Sequence, residues 1–183
     1  MKRNNNIQLK NTNLSKKPAA FLDRDGTINY DYGYVYKFSK FKLRPYVLEG
    51  LKYLTKKKYF IFIITNQAGI AKDKFKISDL KKLNKKLINF FKKKKIIINE
   101  IQYCPYHPQG IIKKYKKKTS LRKPGNKIIK NIINKWNINL DKSFMLGDKK
   151  SDMLAAKRSG IYFEYVRRNF YSQVKKINLK NFQ

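Results

Sequence analysis

The stretch Phe21-Leu22-Asp23-Arg24-Asp25-Gly26-Thr27 decides the interpretation of the whole chain. The apolar residues that lead into it predict a buried β-strand over 19–23, and its two aspartates lie where that strand gives way to a glycine turn. In open α/β sheets, ligands bind outside the carboxyl ends of the strands. Because two neighbouring carboxylates repel each other and lose hydration on burial, we expect a divalent cation to compensate them.

Apolar runs and helical periodicity alternate along the remainder of the chain. The β-branched run from Tyr59 to Ile64 is typical of a central parallel strand. The further predicted elements are a helix opened by Pro45, a helix capped by Ser78, a strand over 96–103, a helix over 127–136, a strand over 143–146, a helix over 152–158 and a strand over 161–166. This alternation predicts an α/β fold with a doubly wound parallel sheet. Residues 167–183 are basic and weakly patterned, so no element is predicted there.

The composition is strongly basic, with 45 Lys and Arg against 11 Asp and Glu and a formal net charge of +34. Such a charge attracts phosphorylated molecules, and dedicated nucleic-acid binding is one interpretation. The lysines are spread over most of the chain, and the abundant residue types have codons rich in A and T, which favours compositional drift. The aspartates are more informative, because five of them lie in two short segments, 23–31 and 148–152.

Cysteine content and hydropathy restrict the cellular setting. The single cysteine, Cys104, excludes an intramolecular disulfide. No apolar run reaches about 18 residues, so no transmembrane helix is expected, and residues 1–17 lack the apolar core of a secretory signal. We expect a cytoplasmic monomer that binds no membrane, with a disordered basic leader over 1–16 and a single domain over 17–183. A cleaved targeting peptide at the N-terminus is the alternative.

Three predicted strands end in polar side chains that would converge on one edge of the sheet, and a loop adds two cations: Asp23, Asp25, Thr65, Asn66, Asp148, Arg122 and Lys123. Such a set suits phosphoryl transfer. One carboxylate can attack phosphorus and form an aspartyl-phosphate, and a second can protonate the leaving alkoxide and later activate water. Magnesium takes carboxylate oxygens together with a substrate phosphate, while hydroxyl, amide and cationic groups stabilise the equatorial oxygens.

These residues resemble the motifs of the haloacid dehalogenase (HAD) phosphatases. The four motif positions are Asp23-Arg24-Asp25-Gly26-Thr27, Ile64-Thr65-Asn66, Lys123, and Gly147-Asp148-Lys149 with Asp152. Within that family the likeness is greater to the heptose bisphosphate phosphatases, whose nearest relative is the histidinol-phosphate phosphatase domain. That likeness rests on the segments 21–34, 65–71, 104–110 and 122–124, and it spans roughly residues 18–166.

The resemblance implies a Rossmann-like HAD core with a minimal flap, a Mg²⁺ cofactor and a role for each motif residue. Asp23 would be the nucleophile and a magnesium ligand, Asp25 the general acid and base and a ligand through its backbone carbonyl, and Asp148 the third ligand. Thr65 would steady the phosphoryl group, and Lys123 would balance its charge. The implied substrate-binding residues are Asp31, Tyr32, Gly33 and Tyr34 of the flap, Asn66, Gln67, Ala68, Arg122 and Lys149. Asp152 is either an orienting residue or a helix N-terminal residue.

The chain departs from the subfamily in its zinc loop, which carries Cys-x-His and then Cys-x-Cys before Arg-Lys-Pro. Tyr106 stands at the histidine position, and Thr119 and Leu121 stand at the later cysteine positions. Cys104 and the adjacent His107 leave two ligands, whereas structural zinc takes four. We therefore predict that no zinc is bound, and that this loop is either held by packing of its tyrosines or looser.

The implied function is a Mg²⁺-dependent phosphatase that removes the C7 phosphate of a D-glycero-D-manno-heptose 1,7-bisphosphate, through an aspartyl-phosphate, on the route to ADP-heptose for lipopolysaccharide. One alternative is a histidinol-phosphate or other small sugar-phosphate phosphatase. The net charge favours a nucleic-acid 3′-phosphatase, but the flap and the Arg-Lys-Pro loop disfavour specific nucleic-acid binding. A non-catalytic interaction protein is a further alternative, which the intact aspartates disfavour.

Overall fold

A five-stranded β-sheet organises residues 15–180, the part of the chain that the computed structural model describes. Its strands are β1 (Lys17–Leu22), β2 (Phe60–Asn66), β3 (Glu100–Cys104), β4 (Ile138–Gly147) and β5 (Tyr162–Tyr165). They lie side by side in the order β3-β2-β1-β4-β5, and each neighbouring pair is parallel. The doubly wound parallel α/β fold is thereby confirmed. Most of the predicted leader, residues 1–14, lies outside the described residues.

Within the described residues, six α-helices and two single 3₁₀ turns connect or follow the strands. The α-helices are α1 (Val47–Lys56), α2 (Ala68–Ala71), α3 (Ile77–Lys93), α4 (Lys127–Lys135), α5 (Lys150–Lys157) and α6 (Phe170–Lys180), and the 3₁₀ turns span Phe38–Lys40 and Lys113–Tyr115. Within residues 15–180, none of these helices combines the length and apolar character that a membrane span requires.

The helices bury both faces of the central strand β1. Successive strand residues point to opposite faces, so Leu22 joins an apolar cluster with Leu51 of α1 and Val174 of α6. Phe21 joins a second cluster with Ile129 of α4 on the other face. Burying a side chain of this size contributes about 1.5–3 kcal/mol. The two clusters together hold the end of β1, and hence the residues after it, in a fixed place.

Two local predictions are wrong, and each has a physical reason. Ser78 does not cap α3, because the helix begins at Ile77 and the carboxylate of Asp79 accepts a hydrogen bond from the backbone N–H of Lys76 at 3.0 Å. No element was predicted after residue 166, yet α6 forms there and packs on α1. Its sequence is weakly amphipathic, so most of its stability comes from tertiary packing.

The strand order places a binding crevice at the carboxyl ends of β1 and β4. The chain leaves β1 for β2 on one side and later returns to β4 on the other side, so the direction of winding reverses at β1. Such a switch point opens a gap between the connections that follow the two strands. Asp23 follows β1 and Asp148 follows β4, so both carboxylates lie at this gap.

Candidate active site

A cavity of about 200 Å³ opens at this switch point. It is lined by the predicted residues Asp23, Asp25, Asp31, Gly33, Tyr34, Thr65, Asn66, Gln67, Ala68, Lys123 and Lys149, and also by Gly69, Ser151 and Asp152. The structure therefore brings together most of the side chains that the sequence predicts for the site. Three predicted residues do not line the cavity: Tyr32, Arg122 and Asp148.

A buried cation joins two of the carboxylates. The Lys123 Nζ atom lies 2.5 Å from Asp23 Oδ1 and 2.7 Å from Asp152 Oδ1, and it also donates a hydrogen bond to the carbonyl of Ile64 at 2.8 Å. Asp23, Lys123 and Asp152 are each at most 5% exposed. Charges buried to this extent are tolerated when they are paired and hydrogen-bonded. Lys123 is therefore fixed beside the carboxylate predicted to be the nucleophile.

The pKa values of the buried acids show that this cluster has too little positive charge to balance all of its carboxylates. Burial raises the pKa of Asp23 to about 7, against the effect of Lys123, and the nearby Asp152 and Asp25 carboxylates add to the rise. Burial likewise raises the pKa of Asp148, although Lys149 opposes the change. For Lys123, burial would lower the pKa, but the two carboxylates outweigh it and the pKa is raised. A further cation would allow all the carboxylates to ionise.

Carboxylate oxygens of Asp23, Asp148 and Asp152 lie within 4.8 Å of one another, which is a suitable arrangement for a metal ion. Asp148 has a free acceptor there, because its Oδ1 atom is buried and has no hydrogen-bond partner among the described residues. Gly26 makes room for it: a Cβ atom at Gly26 would lie 2.2 Å from Asp148 Oδ2. Hard oxygen ligands suit Mg²⁺, so Asp23 and Asp148 fit the predicted magnesium site.

Asp152, whose role the sequence left open, makes two contacts in the structure. Its Oδ1 atom pairs with Lys123, and its Oδ2 atom accepts a hydrogen bond from the backbone N–H of Lys149 at 3.0 Å, capping α5. Oδ1 makes this ion pair but no hydrogen bond within the described residues. Asp152 therefore orients Lys123, and it is also one of the three acids whose oxygens lie close enough together to hold a metal ion. Its position three residues into α5 is the signal that predicts the cap, but the pairing with Lys123 has no local signal.

The second motif aspartate, Asp25, is oriented by four donors. Arg24 donates to both of its oxygens, from Nε at 3.1 Å and from Nη2 at 2.7 Å. Asn29 Nδ2 and Gln67 Nε2 donate to the two oxygens at 2.9 and 2.8 Å. Strand alternation predicts that Arg24 points away from the site. It does not line the cavity, but its side chain is fully buried and its guanidinium reaches Asp25.

The residues after β2 hold the loop that carries Lys123. Asn66 Nδ2 donates to the carbonyl of Lys123, and Asn66 Oδ1 accepts from the N–H of Lys123, both at 3.0 Å. Its amide thus positions Lys123, and Asn66 also lines the cavity, where a substrate contact was predicted. Thr65 is 1% exposed, and its hydroxyl accepts a hydrogen bond from Gln67 at 2.9 Å.

The predicted flap lies beside the cavity and contacts the opposite wall. Lys149 Nζ lies 3.1 Å from Asp31 Oδ2, so an ion pair joins the flap to the residue after Asp148. Gly33 has a φ of 76°, a left-handed conformation that glycine adopts without a steric cost. Tyr32 points outward instead, with 61% of its surface exposed and its ring stacked 5.9 Å from Tyr30.

Arg122 and the degenerate zinc loop lie outside the cavity. Burial lowers the pKa of Arg122, whose charge lies near Cys104, and its Nη1 atom is buried without a hydrogen-bond partner among the described residues. Burial raises the pKa of the Cys104 thiol. His107 Nδ1 accepts a local hydrogen bond from the N–H of Gln109 at 3.1 Å. A substrate contact by Arg122 would require its side chain to turn toward the cavity.

The fold and the clustered aspartates define a HAD-like hydrolase. A family model described as haloacid dehalogenase-like hydrolase matches residues 109–166. The chain is 35% identical over 146 residues to the D-glycero-beta-D-manno-heptose-1,7-bisphosphate 7-phosphatase of Rhodopseudomonas palustris, which covers 80% of this chain and 81% of that protein. It is 37% identical over 147 residues to the D-glycero-alpha-D-manno-heptose-1,7-bisphosphate 7-phosphatase of Photorhabdus laumondii, with 80% of each covered.

The chain belongs to the family of D-glycero-D-manno-heptose-1,7-bisphosphate 7-phosphatases. Solved structures agree in fold. The D,D-heptose 1,7-bisphosphate phosphatase of B. bronchiseptica, complexed with magnesium and phosphate, superposes with a TM-score of 0.78 at 20% identity over 89% of this chain and 99% of that chain. A HAD-like protein of Mesorhizobium loti superposes with a TM-score of 0.80 at 25% identity over 91% and 88%.

Proposed function

We propose that the chain is a Mg²⁺-dependent phosphatase that removes the C7 phosphate of a D-glycero-D-manno-heptose 1,7-bisphosphate. The observation that carries the proposal is the buried Asp23 carboxylate, which lines the cavity and is held 2.5 Å from Lys123. The relatives include phosphatases named for the alpha and for the beta anomer, so the proposal covers both. A cavity of about 200 Å³ suits a phosphoryl group and the adjoining end of a sugar.

In the proposed reaction, an Asp23 oxygen attacks phosphorus and the bond from phosphorus to the C7 oxygen breaks. Asp25 gives its proton to the departing alkoxide, which leaves as the alcohol. Asp25 then takes a proton from water as the water oxygen attacks the phosphorus, which releases inorganic phosphate and restores the Asp23 carboxylate. Lys123 and Thr65 line the cavity beside Asp23 and would stabilise the charge on the equatorial oxygens.

Asp23, Asp148 and the backbone carbonyl of Asp25 are the groups proposed to hold Mg²⁺. The geometry that supports this is the close approach of the Asp23 and Asp148 oxygens and the free acceptor on Asp148. When bound, the ion would neutralise charge on the phosphate and favour the ionised form of Asp23. The HAD-like relative of B. bronchiseptica was solved with magnesium and phosphate.

We also propose that the chain carries no structural zinc and that aromatic packing holds the loop instead. The Tyr106 and Tyr115 rings lie 6.0 Å apart, and Lys117 Nζ lies 4.1 Å from the centre of the Tyr106 ring. The backbone N–H groups of Ile111 and Ile112 both donate to the carbonyl of Ala71, at 2.7 and 3.0 Å. These contacts support a loop that is held by packing and backbone hydrogen bonds.

A monomeric, cytoplasmic enzyme without specific nucleic-acid binding completes the proposal. The cavity is small and bordered by the flap, which fits a small phosphorylated sugar better than a nucleic-acid strand. Size-exclusion chromatography with light scattering tests the oligomeric state, and a stable dimer would contradict it.

Phosphate release from a substrate panel tests the activity. The panel contains both heptose bisphosphate anomers, histidinol phosphate, fructose 1,6-bisphosphate and a 3′-phosphorylated oligonucleotide. We expect the highest kcat/KM on a heptose bisphosphate with Mg²⁺, and preference for the oligonucleotide would overturn the proposal. Asp23→Asn should abolish turnover, whereas the exposed Asp141 offers Asp141→Asn as a matched control that should retain it.

A further inference from the structure

Arg24 stands between the two aspartates of the first motif, and no step of the proposed reaction is assigned to it. It is the largest fully buried side chain among residues 15–180, and its guanidinium carries a permanent charge. A charge buried to this extent is costly unless it is paired. Its partners are therefore informative about its purpose.

The guanidinium of Arg24 joins Asp25 to the end of the flap. The Nε and Nη2 atoms form a bidentate contact with the two Asp25 oxygens, and Nη2 also donates to the carbonyl of Val35 at 2.6 Å. Val35 is 2% exposed and directly follows Tyr34, the last flap residue. A single buried group thus touches both the proposed general acid and the point where the flap re-enters the protein.

The contact leaves Asp25 without a free acceptor site. Each carboxylate oxygen can accept two hydrogen bonds, and each Asp25 oxygen already accepts two: Oδ1 from Arg24 and Asn29, and Oδ2 from Arg24 and Gln67. To exchange a proton with a leaving group or a water molecule, Asp25 must release at least one of these donors. Arg24 contributes two of the four, so its position decides where the carboxylate points.

We propose that Arg24 is a positioning residue that sets the orientation of Asp25 and couples that orientation to the flap through Val35. The planar, forked guanidinium is required, because an ammonium group cannot match both oxygens of a carboxylate at once. Arg24 does not line the cavity, so it acts on the reaction through Asp25. This inference rests on the proposed role of Asp25 as general acid.

Leaving-group dependence separates this role from a structural one. An alkoxide needs a proton from Asp25 to depart, whereas 4-nitrophenolate leaves readily without one. In Arg24→Lys, we expect the single-turnover rate of leaving-group release from the heptose bisphosphate to fall by about tenfold to a hundredfold. This is at most the lower end of the roughly 10²–10⁴-fold contribution of acid–base catalysis, because a misplaced Asp25 keeps part of its effect. With 4-nitrophenyl phosphate, we expect it to change by less than about threefold, and KM should change little for either substrate. Equal loss on both substrates, or loss on neither, would overturn the proposal.

Arg44→Lys is the matched control. Arg44 Nη1 donates to the carbonyl of Gly26 in the same turn, but among its described contacts there is no carboxylate. Its substitution should therefore not change the ratio of the two rates. Asp25→Asn tests whether Asp25 is the general acid. If this variant does not lose activity selectively on the heptose bisphosphate, the proposed role of Asp25 is wrong. If only Arg24→Lys lacks the selective loss, the inference about Arg24 alone is wrong.

Amide hydrogen exchange tests the coupling to the flap. In Arg24→Lys, exchange in a peptide covering residues 31–36 should be faster than in wild type and in Arg44→Lys, and unchanged exchange would refute the coupling. If Arg24→Lys does not fold, Gln67→Met removes a donor from the other side of Asp25 without touching Val35. Gln67→Met should lose activity selectively on the heptose bisphosphate, without faster amide exchange in the flap. If the selective loss is absent, hydrogen-bond donors do not set the position of Asp25.

Discussion

Replacing the buried nucleophile Asp23 by asparagine should stabilise the metal-free protein while abolishing turnover. Asp23 is 5% exposed and shares its surroundings with the Asp148 and Asp152 carboxylates, and the buried cation that pairs with it is Lys123. Its pKa moves from an ordinary value of 3.8 to about 7. Since each pH unit corresponds to about 1.4 kcal/mol, holding Asp23 ionised in the folded state costs up to about 4 kcal/mol.

The pH dependence follows from the direction of this change. The folded protein keeps the Asp23 proton between about pH 4 and pH 7, whereas the unfolded chain has lost it, so the contribution of Asp23 to stability falls as the pH rises through this window. Below about pH 4 both states bind the proton, and wild type and Asp23→Asn should be equally stable. Above about pH 7 the variant should be more stable by about 2–4 kcal/mol, the lower figure allowing for relaxation around the charge.

Urea unfolding with a chelator present, followed from about pH 5 to pH 8, measures the difference in the free energy of unfolding. For a chain of this length, the expected gain corresponds to a rise of about 4–16 °C in the melting temperature. Mg²⁺ should reduce the advantage of the variant, because the ion binds the carboxylate of the wild type. A variant that is less stable than wild type at about pH 8, or a difference that does not vary with pH, would refute the reasoning.

Three further predictions concern the metal and the loop. Mg²⁺ binding near pH 6 should release close to one proton, because Asp23 must be ionised to act as a ligand. Titration calorimetry in two buffers of different ionisation enthalpy measures the number of protons released. Equal binding heats in the two buffers would contradict the prediction. Asn66→Ala should lower the free energy of unfolding by about 1–3 kcal/mol, because two hydrogen bonds to Lys123 are lost. The displacement of Lys123 should lower kcat by about tenfold, and an unchanged kcat would argue against this positioning role of Asn66. Metal analysis should find no stoichiometric zinc, and a zinc chelator should leave the melting temperature unchanged.

Local sequence patterns were sufficient for the order of the main elements and for the motif residues at the strand ends. The apolar runs that become β1 and β2 are unambiguous, because parallel strands in a doubly wound sheet are buried on both faces. Since the carboxyl ends of parallel strands share one edge, Asp23, Thr65 and Asp148 could be expected to meet. Strand boundaries were less well predicted. The strand predicted over 96–103 begins at Glu100, and the strand predicted over 143–146 begins at Ile138, because neighbouring residues extend or hide the apolar pattern.

The tertiary structure alone decided which charges pair and which side chains only support others. Lys123 lies 100 positions from Asp23, and Asn66 lies 57 positions from Lys123, so no local pattern reports these contacts. Arg24 does not line the cavity, as strand alternation predicts, but that pattern gives no signal for its buried contact with Asp25. The contact forms because β1 ends at Leu22 and a long side chain can then fold back. Sequence thus determined which groups are present at the edge of the sheet, whereas packing over long distances along the chain determined how each of them is held.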